Sequence, residues 1–264
     1  MPLITIDDLS DSRIAAYRSL KTTNETRWQE IFVVEGEKLV RRLLESEFET
    51  LHVLIGDSYV ERLKEVLPTN VPVYVIPTRA INELIGFHFH RGILACGKRR
   101  PFPSVEEVLA KAGEKFRCVL CPNVTDPENL GGIIRICAGF GVDLLLLGSE
   151  CGDPYSRRVQ RVSMGNNLKL PIIQTERLEE AAAKLSESGV EMWATVLDPK
   201  AEVLQEAKSQ DRFGLMLGNE GEGLSPDWIV RADRRVTIPM SNGTDSLNVA
   251  VAAGIFLYHF TSLK

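Results

Sequence analysis

The sequence lacks a long apolar stretch: no run of about eighteen or more apolar residues occurs, so no membrane span is expected. The opening MPLITIDDLS is acidic and has no basic stretch followed by an apolar core, so it does not read as a signal peptide. Cysteine is sparse, with five residues at Cys96, Cys118, Cys121, Cys137 and Cys151. The Cys118-x-x-Cys121 pair has no second pair or His cluster to complete a zinc site. Its members alternate within an apolar run, so buried strand cysteines in a reducing, cytoplasmic setting are expected, and no metal. Histidine is scarcer, with four residues, and His259 is the only one after residue 90, which leaves no Ser/His/Asp set. An excess of positive charge is also missing. The net charge is −5, which argues against a broadly basic nucleic-acid binder. Internal repeats and low-complexity tracts are absent.

The charge is uneven. Residues 1–100 hold 14 Lys/Arg and 14 Asp/Glu, whereas residues 101–264 hold 17 against 22. Basic residues cluster at Lys98-Arg99-Arg100, at Arg157, Arg158 and Arg161, and at Arg13, Arg18, Lys21 and Arg27. Each cluster alone suits a solvated face as well as a phosphate contact.

Two segments of different texture meet at GKRRPFPS, residues 97–104, where two prolines, a basic triplet and a capping-box start (Ser104 with Glu107) mark a linker entering a helix. Residues 1–97 read as a small α/β domain. Its strands are expected at 31–34, 51–55, 71–76 and 92–96, and its helices at 37–46, 58–67 and 78–85. Residues 105–264 resume the alternation on a larger scale. Strands are expected at 116–121, 143–147, 170–173, 191–197, 213–217 and 235–239. Helices are expected at 129–140, near 155–164, and at 176–188, 201–208, 225–231 and 245–260. Near-continuous apolar strands imply a parallel sheet covered on both faces.

Ligands of open parallel sheets bind beyond the carboxyl ends of the strands. Three strand ends here are rich in polar residues. In CPNVTDPENLGGIIRICAGFG, Asn123, Asp126 and Asn129 crowd one loop, and Arg135 sits among Ile133, Ile134, Ile136 and Cys137, an apolar setting for a permanent cation. A snorkelling Arg and a capping Asn are the bland alternative. In LMLGNEGEGLSP, residues 215–226, three glycines in six residues let backbone approach a ligand closely. The Lys-Ser/Thr of a P-loop is missing, and Glu220 and Glu222 would repel a pyrophosphate, so a hydroxyl, an amine or a cationic ligand suits this loop. In TIPMSNGTDSLNVAVAAG, Asp245 or Ser246 serves as a helix cap, but Asn248, placed inside the first turn, is left without a structural reason. The set binds, orients and stabilises charge, without a neutral-pH base of the usual kind.

Together these segments resemble, in order, the three motifs of the SpoU/TrmH family of RNA 2′-O-ribose methyltransferases, of the SPOUT superfamily, over about residues 123–260. The stretch FVVEGEKLVRRLL at 32–44 resembles that family's substrate-binding domain, similar to the ribosomal L30/L7Ae fold. One departure is Arg91 before Gly92, where the family often has Gln-Gly. The resemblance implies a C-terminal α/β knot, a deep trefoil, holding S-adenosylmethionine. Its implied catalytic residues are Asn129, Arg135, Glu220, Ser246 and Asn248. Leu217, Gly218, Asn219, Gly223, Ile238, Met240, Ser246 and Leu247 would line the cofactor pocket. It further implies a homodimer with the site completed across the interface, which leaves Arg135 to act in cis or from the partner chain. The expected substrate is RNA, 23S-type rRNA before tRNA, with Arg91, Arg157, Arg158 and Arg161 as RNA contacts. A guanidinium is a poor base at neutral pH, so Arg135 is expected to position and stabilise charge. An RNA-binding or donor-binding protein of the same fold without catalysis and a nicotinamide enzyme are the competing classes.

Overall fold

A computed structural model describes residues 3–18, 20 and 30–262. Lys21 and Arg27 of the N-terminal basic cluster lie outside the described residues. The chain forms two compact units: residues 1–101 with 155–168, and residues 102–154 with 169–264. The second segment of the first unit was unexpected, because the sequence places residues 155–168 with the C-terminal domain.

The first unit is built on a five-stranded sheet of order β1-β4-β3-β5-β2, where β1 is Leu3–Thr5, β2 Ile31–Glu35, β3 Thr50–Gly56, β4 Val73–Ile76 and β5 Ile93–Lys98. β5 runs antiparallel to β2 and β3, and the other pairs are parallel. Helices α1 (Glu37–Leu44) and α2 (Thr78–Ile85) bury Leu39, Val40 and Leu43, and Ile81, Leu84 and Ile85, at helical spacing. The expected helix at 58–67 is instead a short 3-10 turn at Asp57–Tyr59 followed by tight turns. Leu63, Val66 and Leu67 still reach the core, through i to i+3 bonds such as Val66 N–H to Leu63 O.

The second unit carries a seven-stranded, all-parallel sheet of order β10-β12-β9-β11-β6-β7-β8. Its strands are β6 (Phe116–Cys121), β7 (Leu144–Gly148), β8 (Ile172–Thr175), β9 (Glu191–Thr195), β10 (Glu202–Val203), β11 (Arg212–Met216) and β12 (Arg234–Thr237). Alternate side chains feed two cores. Phe116, Cys118, Leu120, Met192 and Ala194 face helices α3 (Val105–Leu109) and α6 (Leu178–Glu187), with Trp228 of α7 (Pro226–Val230). Trp193 and Phe213 face the other way and pack on Phe260 of the C-terminal helix α8 (Val249–Ser262), at ring distances of 5.0 and 5.5 Å. Helix α4 (Pro127–Gly139) packs along α8, and a Cβ at Gly132 would sit 3.0 Å from the Ala250 Cβ. The Ser104–Glu107 capping box opens α3.

All five cysteines are buried and free. Burial pushes the Cys118 and Cys96 thiols up to about 12. No helix of the described residues is long and apolar enough to cross a membrane.

The expected helix 201–208 is the edge strand β10 and turns. Its good helix formers are overridden because Leu204 N–H bonds Thr237 O, which draws the segment alongside β12 while burying Leu204 and Ala207. The last helix begins at Val249, not Asp245, and residues 241–248 form an exposed loop.

Candidate active site

The carboxyl ends of β6, β11 and β12 bring the three polar loops together. Asp126 caps α4 by accepting from Glu128 N–H at 2.7 Å. This places Asn129 on the first turn, with its side chain nearly buried. Asn129 Nδ2 donates to Glu220 Oε1 at 3.0 Å, and the same oxygen accepts the Asp126 amide at 3.2 Å. Asn248 Nδ2 in turn donates to Asn129 Oδ1 at 2.7 Å. Three loops far apart in sequence are thus joined by one line of hydrogen bonds, Asn248 to Asn129 to Glu220.

Asn248 is itself the cap of α8. Its Oδ1 accepts from Ala250 N–H at 3.0 Å and from Val251 N–H at 3.3 Å. That corrects the expected placement of Asn248 inside the first turn. Asp245 and Ser246 belong to the loop before it.

The turn at 219–223 is closed by paired backbone bonds between Asn219 and Gly223, at 2.9 and 3.0 Å. The Asn219 side chain ties it down, donating to Asn123 O at 3.0 Å and accepting from Gly221 N–H at 2.8 Å. Gly218 is required here: a Cβ would sit 2.2 Å from the Gly223 carbonyl carbon.

Beside this turn is a cavity of about 180 Å³. Leu217, Gly218, Asn219, Gly223, Ile238, Met240, Ser246 and Leu247 all line it. So do Glu220 and Glu222, and on the far side Thr195, Val196, Leu197 and Phe256. The last four carry no polar motif, which is why sequence reading passes over them; only the β9–β11 pairing brings residues 195–197 alongside. The donors and walls suit a ligand that is part apolar and part cationic: Ile238, Met240, Leu247 and Phe256 offer an apolar face, and two carboxylates offer negative charge.

Arg135 departs from expectation. It is exposed on α4 rather than held in an apolar setting, because Ile133, Ile134 and Cys137 take the inward face. It does not line the cavity. In the first unit, Arg157 and Arg161 of α5 (Arg157–Val162) pair with the buried Glu35 at 3.6 and 3.0 Å. The Arg157 guanidinium also lies 4.0 Å from the Phe87 ring centroid, and burial lowers its pKa. Arg91 and Arg158 line a separate cavity of about 360 Å³ with Lys38 and Arg161.

Residues 117–258 match the model of the SpoU rRNA methylase family. The chain belongs to that family. It is 37% identical over 262 residues to an uncharacterized tRNA/rRNA methyltransferase of Mycobacterium bovis, covering 96% of this chain and 90% of the relative. It is 28% identical over 254 residues to the 23S rRNA (guanosine(2553)-2′-O)-methyltransferase RlmP of Bacillus subtilis, covering 96% and 98%. Among solved structures, a putative RNA methyltransferase of the TrmH family from Porphyromonas gingivalis superposes with a TM-score of 0.81 at 25% identity, covering 97% of this chain and all of the other. The model match spans all three polar loops joined by Asn248, Asn129 and Glu220.

Proposed function

We propose that the protein transfers a methyl group from S-adenosylmethionine to a ribose 2′-hydroxyl of ribosomal RNA. The observation that carries this reading is the Asn248–Asn129–Glu220 line at the rim of an acidic, partly apolar cavity. Membership of the SpoU family supports the reaction class, and the likeness to RlmP along nearly the whole chain supports rRNA before tRNA.

The residues present fit the donor. Its adenine suits the wall of Ile238, Met240 and Leu247, its ribose the backbone of Leu217 and Gly218, and its sulfonium the carboxylates of Glu220 and Glu222. When bound, it supplies an electrophilic methyl group. Asn129 fixes the Glu220 carboxylate by hydrogen bonding, and Asn248 fixes the Asn129 amide, so both are pre-oriented before the acceptor arrives. Ser246 lies on the cavity lip, where its hydroxyl meets the incoming ribose. Arg135 acts from the partner chain of a homodimer, positioning the acceptor and stabilising developing negative charge. The exposed Val251, Ile255 and Tyr258, on one face of α8, are the apolar surface such a dimer covers.

The finer fold assignment belongs to the same proposal. The C-terminal unit is an α/β knot, a reading supported by the passage of the chain from β11 across β9 to β12. The N-terminal unit is L30/L7Ae-like and binds RNA through Lys38, Arg91 and Arg158, while Arg157 and Arg161 mainly hold Glu35. Isothermal titration tests the donor assignment. S-adenosylmethionine binds and NADH does not; the reverse overturns it.

A further inference from the structure

The donor cavity opens at a fork in the seven-stranded sheet. Strands β9 and β11 pair up to Ala194 and Met216 and then part, each leaving with its outer neighbour. Thr195 pairs with Val236 of β12, and Val196 N–H bonds Val236 O at 3.0 Å. Leu217 N–H bonds Leu120 O of β6 at 2.9 Å. Thr195, Val196 and Leu197 of one branch and Leu217 and Gly218 of the other line the cavity.

Thr195 reaches back across this fork: its Oγ1 donates to Met216 O at 2.8 Å. We propose that Thr195 is a positioning residue for the methyl donor. Its hydroxyl fixes the Met216 carbonyl, and with it the Leu217–Gly218 backbone that the donor binds against. This rests on the methyl-transfer reading of the cavity.

The peptide joining Met216 to Leu217 is held on both sides, its carbonyl by Thr195 and its N–H by Leu120. A peptide is planar, so two fixed sides set its orientation and the direction in which the chain continues. Met216 sits at the last pairing of the β9–β11 ladder, with no strand pairing beyond it to share the restraint. Gly218 follows, and its N–H and carbonyl have no hydrogen-bond partner among the described residues. Backbone groups left unpaired at a strand end are what a parallel sheet offers a ligand. Their aim is set by the peptide before them, which the Thr195 hydroxyl holds. A β-branched residue also suits a strand end for its shape alone. On that footing valine would serve as well as threonine, so the two accounts separate by experiment.

Thr195→Val keeps the branch and the volume and removes the hydroxyl. By isothermal titration on the full chain it is expected to bind S-adenosylmethionine about tenfold more weakly than wild type, the scale of one lost hydrogen bond. In methyl transfer to rRNA from a strain lacking the gene, KM for S-adenosylmethionine is expected to rise by the same factor while kcat stays within about twofold. Thr195→Ser and Thr195→Ala repeat the comparison without the branch, and Ser is expected to bind the donor about tenfold more tightly than Ala. Without ligand, amide hydrogen exchange over residues 215–224 is expected to be faster in Thr195→Val than in wild type. Wild-type donor affinity in Thr195→Val, equal affinities in the Ser and Ala variants, a fall in kcat at unchanged KM, or exchange equal to wild type overturns the proposal. A wild-type protein that binds no S-adenosylmethionine overturns the methyl-transfer reading instead.

Discussion

The Asn248 carboxamide spends its oxygen on the amides of Ala250 and Val251 and its Nδ2–H on Asn129. The two uses separate by mutation. Asn248→Asp keeps the cap oxygen and loses the donor, so stability in urea should stay within about 1 kcal/mol of wild type. Methyl incorporation should fall on the order of 100-fold, because Asn129 and Glu220 are no longer held. Wild-type turnover in that variant reduces Asn248 to a cap. A second residue-scale prediction concerns His52, whose Nδ1 lies 2.8 Å from the Tyr17 hydroxyl. Burial pulls its pKa from 6.5 down to about 4. Between those values the unfolded chain takes a proton that the folded chain refuses. The stability tied to neutral His52 is therefore whole above 6.5 and is lost as the pH falls toward 4. Urea midpoints should drop between about pH 7 and pH 5 in the wild type and less in His52→Gln. Equal drops in both would assign the effect to other groups. Glu35, buried beneath Arg157 and Arg161, is the third residue to test. Glu35→Ala leaves two guanidinium groups without their carboxylate and should cost about 3 kcal/mol in urea unfolding. A loss within experimental scatter contradicts a structural ion-pair cluster.

Elements explain what the sequence discloses and what it hides. The strand–helix alternation of residues 105–264 is legible because strands such as β6, β7 and β11 are mainly apolar and helices such as α6 repeat apolar residues at helical spacing. The glycine turn is legible because only a residue without Cβ fits at Gly218. The exposed position of Arg135 has a geometric reason. Its sequence neighbours are apolar, but at 3.6 residues per turn they point inward while Arg135 points out. Residues 201–208 are not legible as a strand because local propensity carries no information about the open edge of β12. Two predictions belong at this scale. Gly218→Ala should fold but lose S-adenosylmethionine binding, since the 219–223 turn cannot close against the strand end. Titration with unchanged affinity would contradict the assignment of that turn to the donor site. Tyr258→Asp on the outer face of α8 should shift the protein to a monomer by light scattering and lower methyl transfer, with donor affinity intact. A dimer in that variant places the interface elsewhere.

For the whole molecule, the segment 155–168 belongs to the first unit although its neighbours in sequence belong to the second. Nothing in its composition announces this. Gln160 Nε2 bonds Val33 O, Tyr155 stacks on Phe32 at 5.4 Å, and Arg161 reaches Glu35, all contacts between residues far apart in sequence. The same limit holds for the site. Its three loops are each legible, whereas the hydrogen bonds that make them one site depend on how strands separated in sequence lie side by side. The central claim, methylation of a ribose in ribosomal RNA, is tested most directly by ribose-methylation mapping of total RNA from a strain lacking the gene. The account predicts that a discrete rRNA position loses its 2′-O-methyl group, and that wild-type protein restores it while the Asn248→Asp variant does not. Unchanged rRNA maps in the deletion strain would contradict it.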